Sequence, residues 1–209
     1  AVLLSLLASL SAPAWCEEDI LAVLQRSQQM QLDALTEVQV DDADPAAQVV
    51  RRSFERDKDE LRALGVPIVH VKSVLRPDGS DDAQGIPAAW RRTFPLHVGP
   101  IPNAQAHALQ GSRWTEWVTH VAPQDLRVEN KRRLSAFYPT DLDFLLRNRR
   151  IDTVVLNGGM TDCCVLNTAF DANNHTYRVE VLRDLVRGTD PHLEAAALSM
   201  VSLHLGLVL

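Results

Sequence analysis

Cysteine is scarce in this chain: three residues in 209, two of them adjacent. That is too few for a disulfide framework and fits a reducing compartment, so the cytoplasm is the expected location. Long apolar runs are missing too. No stretch is long enough to cross a bilayer, and no membrane partner is expected. Positive charge is not in excess: the formal net charge is −6 and the pI is near 5.6. Nucleic-acid binding needs a concentrated basic face, so no nucleic-acid partner is expected. Lys131-Arg132-Arg133 and Arg147-Asn148-Arg149-Arg150 are the dense basic clusters, and each reads as solvated surface. Internal repeats, low-complexity tracts and clusters of metal-ligating side chains are absent from the sequence. Gly158-Gly159 fits neither the G-x-G-x-x-G nor the P-loop pattern, which removes the usual nucleotide signatures.

What is present is ordinary for a folded globular protein, with 46% hydrophobic and 23% charged residues. The length suits one domain with a substantial core, residues 1–209, of which 1–44 form an ill-defined N-terminal segment. Residues 1–14 are apolar and admit two readings. One is a first core strand over residues 1–7. The other is a truncated signal peptide, since Ala12-Pro13-Ala14 resembles a small-residue cleavage site.

Beyond that segment, strands and helices alternate. Asp44-Pro45 marks a helix start, with Val49, Val50, Phe54, Leu61 and Leu64 as its stripe and Gly65 as its stop. Val66-Pro67-Ile68-Val69-His70-Val71 follows as a buried strand. Residues 75–124 break the pattern, punctuated by Pro77, Gly79, Gly85, Pro87, Pro95, Pro100 and Pro102, and carry Trp90, Trp114 and Trp117. Such an insertion is a candidate pocket wall, or is merely anchored to the sheet by its tryptophans. Leu126-Arg127-Val128 reads as a short strand leading to Lys131. Thr140-Asp141-Leu142-Asp143 resembles a capping box. Ile151 to Leu156 and Tyr177 to Leu182 are further strands. Asp190-Pro191 starts a last helix, with Leu193, Ala196, Ala197, Met200, Val201 and Leu203 on its apolar side, and Gly206 ends it. The alternation predicts a three-layer α/β/α domain with a mainly parallel, Rossmann-like sheet.

One stretch concentrates chemistry. The strand ending at Leu156 runs into Asn157-Gly158-Gly159-Met160-Thr161-Asp162-Cys163-Cys164-Val165, and a helix begins at once. With Thr161 as N-cap, Cys164 falls at the third helical position, among unpaired N–H groups and the positive end of the dipole. That placement favours thiolate, the nucleophilic form. The plain alternative is a small core cysteine.

Three motifs in order, Lys131-Arg132-Arg133-Leu134-Ser135-Ala136-Phe137, Thr140-Asp141-Leu142-Asp143 and Gly158 to Val165, resemble the isochorismatase-like cysteine hydrolases. The resemblance implies Cys164 as nucleophile, with Cys163 turned into packing, and Lys131 as the lysine of an Asp-Lys-Cys triad. It also implies a cis bond before Met160 and an oxyanion hole from the backbone N–H groups of Met160 and Cys164. The family's Asp-x-Gln at the end of the first strand has no match. With residues 1–7 as that strand the slot falls near Ser5 or Leu6; with Ile20 to Leu24, near Gln25 or Arg26, followed by Gln28. Asp19, Asp33 and Asp41 are the nearby acids, each better read as a loop residue.

Cys164 points to the amidohydrolase branch of the family. His70 alone does not make the metal site of its nicotinamidase branch, so neither metal nor cofactor is expected. The implied substrate is a small amide or ureido compound, held by Trp114, Trp117 or Arg76. The reaction is hydrolysis of its C–N bond through a thioester. The resemblance further implies a homo-oligomer, dimer or tetramer. The missing Asp supports the alternative of a catalytically impaired member that binds ligand or assembles.

Overall fold

The computed structural model describes residues 3–10, as backbone, and residues 45–81 and 108–209. The segment 20–35, the Asp44 cap, Trp90 and the acids Asp19, Asp33 and Asp41 lie outside the described residues. Six strands form one sheet in the order β3-β2-β1-β4-β5-β6: β1 Leu3–Leu10, β2 Ile68–Ser73, β3 Leu126–Lys131, β4 Ile151–Gly159, β5 Arg178–Arg187 and β6 Leu207–Val208. Helix α1, Pro45–Ala63, precedes β2; α2, Leu142–Asn148, precedes β4; α3, Leu166–Asn174, and α4, Pro191–His204, follow β4 and β5.

Both faces of this sheet are covered, which is why its central strands are apolar on alternating sides. Val154 and Leu156 of β4 pack with Leu142, Leu146, Ala169, Ala172, Leu198 and Val201 from α2, α3 and α4. Val155, between them, faces the other way and joins Leu61 of α1, Ile68 and Leu182. Leu142 and Leu146 are wholly buried, and each contributes roughly 1.5–3 kcal/mol by leaving water. The fold is therefore the expected three-layer α/β/α arrangement.

Several elements differ in detail from the sequence expectation. Strand pairs β2–β3, β4–β5 and β5–β6 run parallel, but β1 is antiparallel to both neighbours. Apolar patterning makes a strand legible and says nothing of its direction. At the start of α2, Thr140 Oγ1 accepts the Leu142 N–H, but Asp143 does not return the capping-box bond; it accepts from Tyr177 and Arg147 instead. In α4, Asp190 caps as expected, taking the His192 and Leu193 N–H groups at 2.8 and 3.0 Å. Its buried stripe is Ala197, Leu198 and Val201, whereas Leu193, Met200 and Leu203 are exposed. An all-round apolar helix hides which side the sheet will take.

Gly206 lies where the chain turns from α4 into β6. A Cβ there would overlap the Val179 carbonyl. Gly206→Ala is expected to cost about 1–3 kcal/mol through overpacking, measurable as a lower urea midpoint with unchanged slope.

Candidate active site

Lys131 is the last residue of β3, and an extra residue in that strand decides where it points. Val71 pairs with Val128, but Ser73 pairs with Lys131, so three steps on β3 match two on β2. This bulge returns Lys131 to the Val128 side of the sheet. There its Nζ donates to Ser73 Oγ at 3.0 Å and to Cys164 Sγ at 3.3 Å. Lys131 is 3% exposed and Cys164 7%. Sequence reasoning named both residues and missed Ser73, whose only signal was its place at a strand end.

The cysteine is presented by the turn after β4. Gly158 takes φ 105°, a left-handed conformation suited to glycine, and the Gly159–Met160 bond is cis. The Met160 carbonyl accepts the Cys163 and Val165 N–H groups, both at 3.1 Å. Residues Thr161–Val165 form a wide π-helical turn ahead of α3. Thr161 is thus inside the turn and not its N-cap; its hydroxyl has no partner among the described residues. Asp162 ties the turn to the loop before α4, accepting the Thr189 N–H and Oγ1 at 2.6 and 2.8 Å. The Ser135-Ala136-Phe137 motif is anchored as well: the Ala136 N–H donates to Thr168 Oγ1 of α3 at 3.0 Å.

The surroundings favour thiolate at one of the two cysteines. The Cys163 thiol, with its sulfur 3.9 Å away, pulls the Cys164 pKa down, burial opposes this, and the Lys131 ammonium and the Met160 backbone N–H add to the lowering. The outcome is a Cys164 pKa pulled down to about 6. Its neighbour moves the other way: the hydrogen bond it shares with Cys164, then burial, then the negative charge on Cys164 push the Cys163 thiol up. Cys163 is half-buried and not packed into the core as expected.

The remaining candidates divide. Ile68, His70 and Lys72 alternate onto the α1 face of β2, opposite to Ser73 and Lys131. Trp117 lies on that α1 face, edge-on to His70 at 5.7 Å and under the Lys72 ammonium at 4.6 Å. Its Nε1 donates to Glu129 at 3.2 Å. These contacts make Trp117 an anchor of the insertion, not a wall of the Cys164 site. The Trp114 side chain lies outside the described residues. Arg76 stands elsewhere, in a cavity with Arg132 and Arg133. His70 is fully buried against Asp125, its Nε2 2.9 Å from the carboxylate.

The slot for an acid on the first strand is also displaced. Because β1 runs antiparallel, its beginning lies beside the carboxyl ends of β2 and β4. Leu3 pairs with Lys72, and Leu4 with Val71 and Gly158. Leu3 and Leu4 of β1 therefore stand nearest the site, with Ser5 and Leu6 further along the strand, and none is a carboxylate; the alternative slot at Gln25 or Arg26 lies outside the described residues.

Comparison with known proteins bears on the family and the fold. The Isochorismatase domain profile matches residues 29–209. The N-carbamoylsarcosine amidase of an Arthrobacter species is 27% identical over 143 residues, covering 68% of this chain and 51% of that protein. The maleamate amidohydrolase of Pseudomonas putida is 32% identical over 134 residues, 63% of this chain and 57% of its own. The chain thus spans between half and two thirds of the length of these curated relatives. A crystal structure of an isochorismatase family protein from Desulfovibrio vulgaris superposes with a TM-score of 0.60 at 26% identity, covering 81% of this chain and 86% of that one.

Proposed function

From the premise that this chain belongs to the isochorismatase family, we propose that it hydrolyses the C–N bond of a small amide or ureido compound, with Cys164 as nucleophile. The observation that carries this reading is the buried Lys131–Cys164 contact at 3.3 Å. Relatives that act on maleamate and N-carbamoylsarcosine support the bond type.

Cys164 thiolate attacks the carbonyl carbon, and the C=O pair moves onto oxygen. The backbone N–H groups of Met160 and Cys164 receive that oxyanion, an arrangement worth several kcal/mol where it is preorganised. As the pair returns, the C–N bond breaks. The leaving nitrogen takes a proton, for which the Lys131 ammonium is the charged donor at hand, and departs as ammonia or an amine. Water then attacks the thioester, returns a proton to Lys131 and frees the carboxylate product and the thiolate.

The test is ammonia release from maleamate and from small ureido acids, read beside alkylation by iodoacetamide. Because the reactive form is the thiolate, alkylation of Cys164 should rise as pH increases through about 6 and level off above it. An ordinary thiol would rise near 8.5. Lys131→Met should move that midpoint upward and slow alkylation at pH 6 about tenfold. An unchanged profile in that variant would remove the lysine from the proposal.

A second reading rests on Leu3 and Leu4. They stand at the strand end beside the site, so no general base is supplied from β1. A protein that binds ligand without turnover then has a fast-alkylating Cys164 and releases no ammonia. That pair of results distinguishes the two readings.

A further inference from the structure

Cys163 and Cys164 are adjacent free thiols, and their sulfurs lie 3.9 Å apart in the turn after β4. Hydrolysis uses only the second of them. Cys163 is half-buried and Cys164 buried, so the unused thiol is the more open one. Its backbone is held on both sides. The Cys163 N–H donates to the Met160 carbonyl at 3.1 Å, and its own carbonyl accepts from Asn167 Nδ2 at 2.8 Å. These bonds keep the Cys163 side chain beside the sulfur that Lys131 Nζ contacts at 3.3 Å.

A reactive thiolate next to a second thiol is the arrangement of a peroxide-sensitive cysteine and its resolving partner. The pair is also primed to act in order. Negative charge on Cys164 is one of the causes that hold the Cys163 thiol up, and the Lys131 ammonium works against them. Oxidation of Cys164 to a neutral group removes that charge and leaves the ammonium in place. Cys163 therefore becomes the easier thiol to deprotonate only after its neighbour has reacted.

We propose that Cys163 and Cys164 form a reversible oxidation site for hydroperoxides, in which Cys163 resolves oxidised Cys164 as a disulfide within the turn. In the first step Cys164 thiolate attacks one peroxide oxygen. The O–O bond breaks, the sulfur is oxidised to sulfenic acid, and the other oxygen leaves reduced, as hydroxide or alkoxide. In the second step the Cys163 sulfur attacks the Cys164 sulfur. An S–S bond forms, the S–O bond breaks, and hydroxide departs with the Cys163 proton as water. Closure draws the sulfurs from 3.9 Å to about 2 Å. The Thr161–Val165 turn must give to allow it, and the Cys164 N–H shifts with the turn. A thiol reductant reopens the pair by supplying two electrons. That oxidation halts turnover rests on the hydrolase reading; formation of the bond does not.

The test is mass spectrometry of the tryptic peptide 151–178, which carries both thiols, after hydrogen peroxide with and without dithiothreitol. Dithiothreitol should add back about 2 Da, two hydrogens, and restore alkylation of Cys164 by iodoacetamide. Cys163→Ala is compared at the same extent of thiol loss. There oxidation should run on to sulfinic acid, a gain of about 32 Da that dithiothreitol does not reverse. An unoxidised peptide, a lasting sulfenic acid in the wild type, a disulfide to Cys16, or full recovery of Cys163→Ala would each overturn the proposal. A reversible change of about 2 Da in a protein whose reduced form releases no ammonia would instead defeat the hydrolase reading and leave the oxidation site standing.

Discussion

Cys164→Ala is expected to reduce ammonia release from a small amide or ureido compound by about 10³-fold or more, since the variant cannot form the thioester. The neighbouring Cys163→Ala is expected to behave differently. Its thiol helps lower the Cys164 pKa but stays the more protonated of the two. Turnover should persist, with the alkylation midpoint moved upward from about 6. Ammonia assays on both variants, with mass spectrometry of the iodoacetamide adduct, check the assignment. Full release from Cys164→Ala, or an adduct confined to Cys163, would exchange the roles or end the thiol mechanism.

Asp125→Asn should give the largest loss of stability. Asp125 is buried, and Arg62 bonds it twice, Nε at 2.9 Å and Nη2 at 2.6 Å. Its Oδ2 also accepts the Ala122 N–H at 2.9 Å and meets His70 Nε2 at 2.9 Å. With Nε2 donating, His70 Nδ1 is left as a bare acceptor, and it has no partner among the described residues. An amide in place of the carboxylate leaves the buried Arg62 charge with only its exposed partner Asp59, 2.6 Å from Nη1, at a cost of about 3 kcal/mol. Urea denaturation at pH 7 measures it.

The same network fixes how stability should follow pH. Burial works to raise the Asp125 carboxyl, but Arg62, the Ala122 N–H and His70 outweigh it and hold the pKa below the usual carboxylate range. Its contribution is therefore present above the unfolded value and is lost as pH falls through the lower folded one. Burial likewise lowers the His70 pKa, against the pull of Asp125. The unfolded chain then binds a proton more readily, so stability begins to decline as pH drops below about 6.5. In Asp125→Asn the carboxylate's part of this acid dependence should vanish.

How much of this was legible beforehand depended on how local the signal was. The Asp190-Pro191 cap was readable because a cap is made within four residues. Cys164 was readable as a candidate nucleophile from its strand–glycine–helix setting, and Lys131 only from the family motif. Nothing local said that Lys131 would reach Cys164: 33 residues separate them, and a bulge in β3 turns the lysine to the right side. Arg132 and Arg133 looked like solvated surface because a cavity wall is composed from distant segments, here residues 76–81 and 130–139. Trp117 looked like a pocket residue because an aromatic in a loop has the same signature whichever sheet face it covers.

By itself the sequence determined the alternation of strands and helices and the setting of the candidate nucleophile Cys164 at a strand–glycine–helix joint. Those are properties of composition, period and order along the chain. Only the tertiary structure decided the antiparallel direction of β1, the ammonium–thiol contact and the arginine-lined cavity. Each depends on which distant segments the sheet brings side by side, and strand pairing is chosen by burial over the whole domain, not by any one stretch.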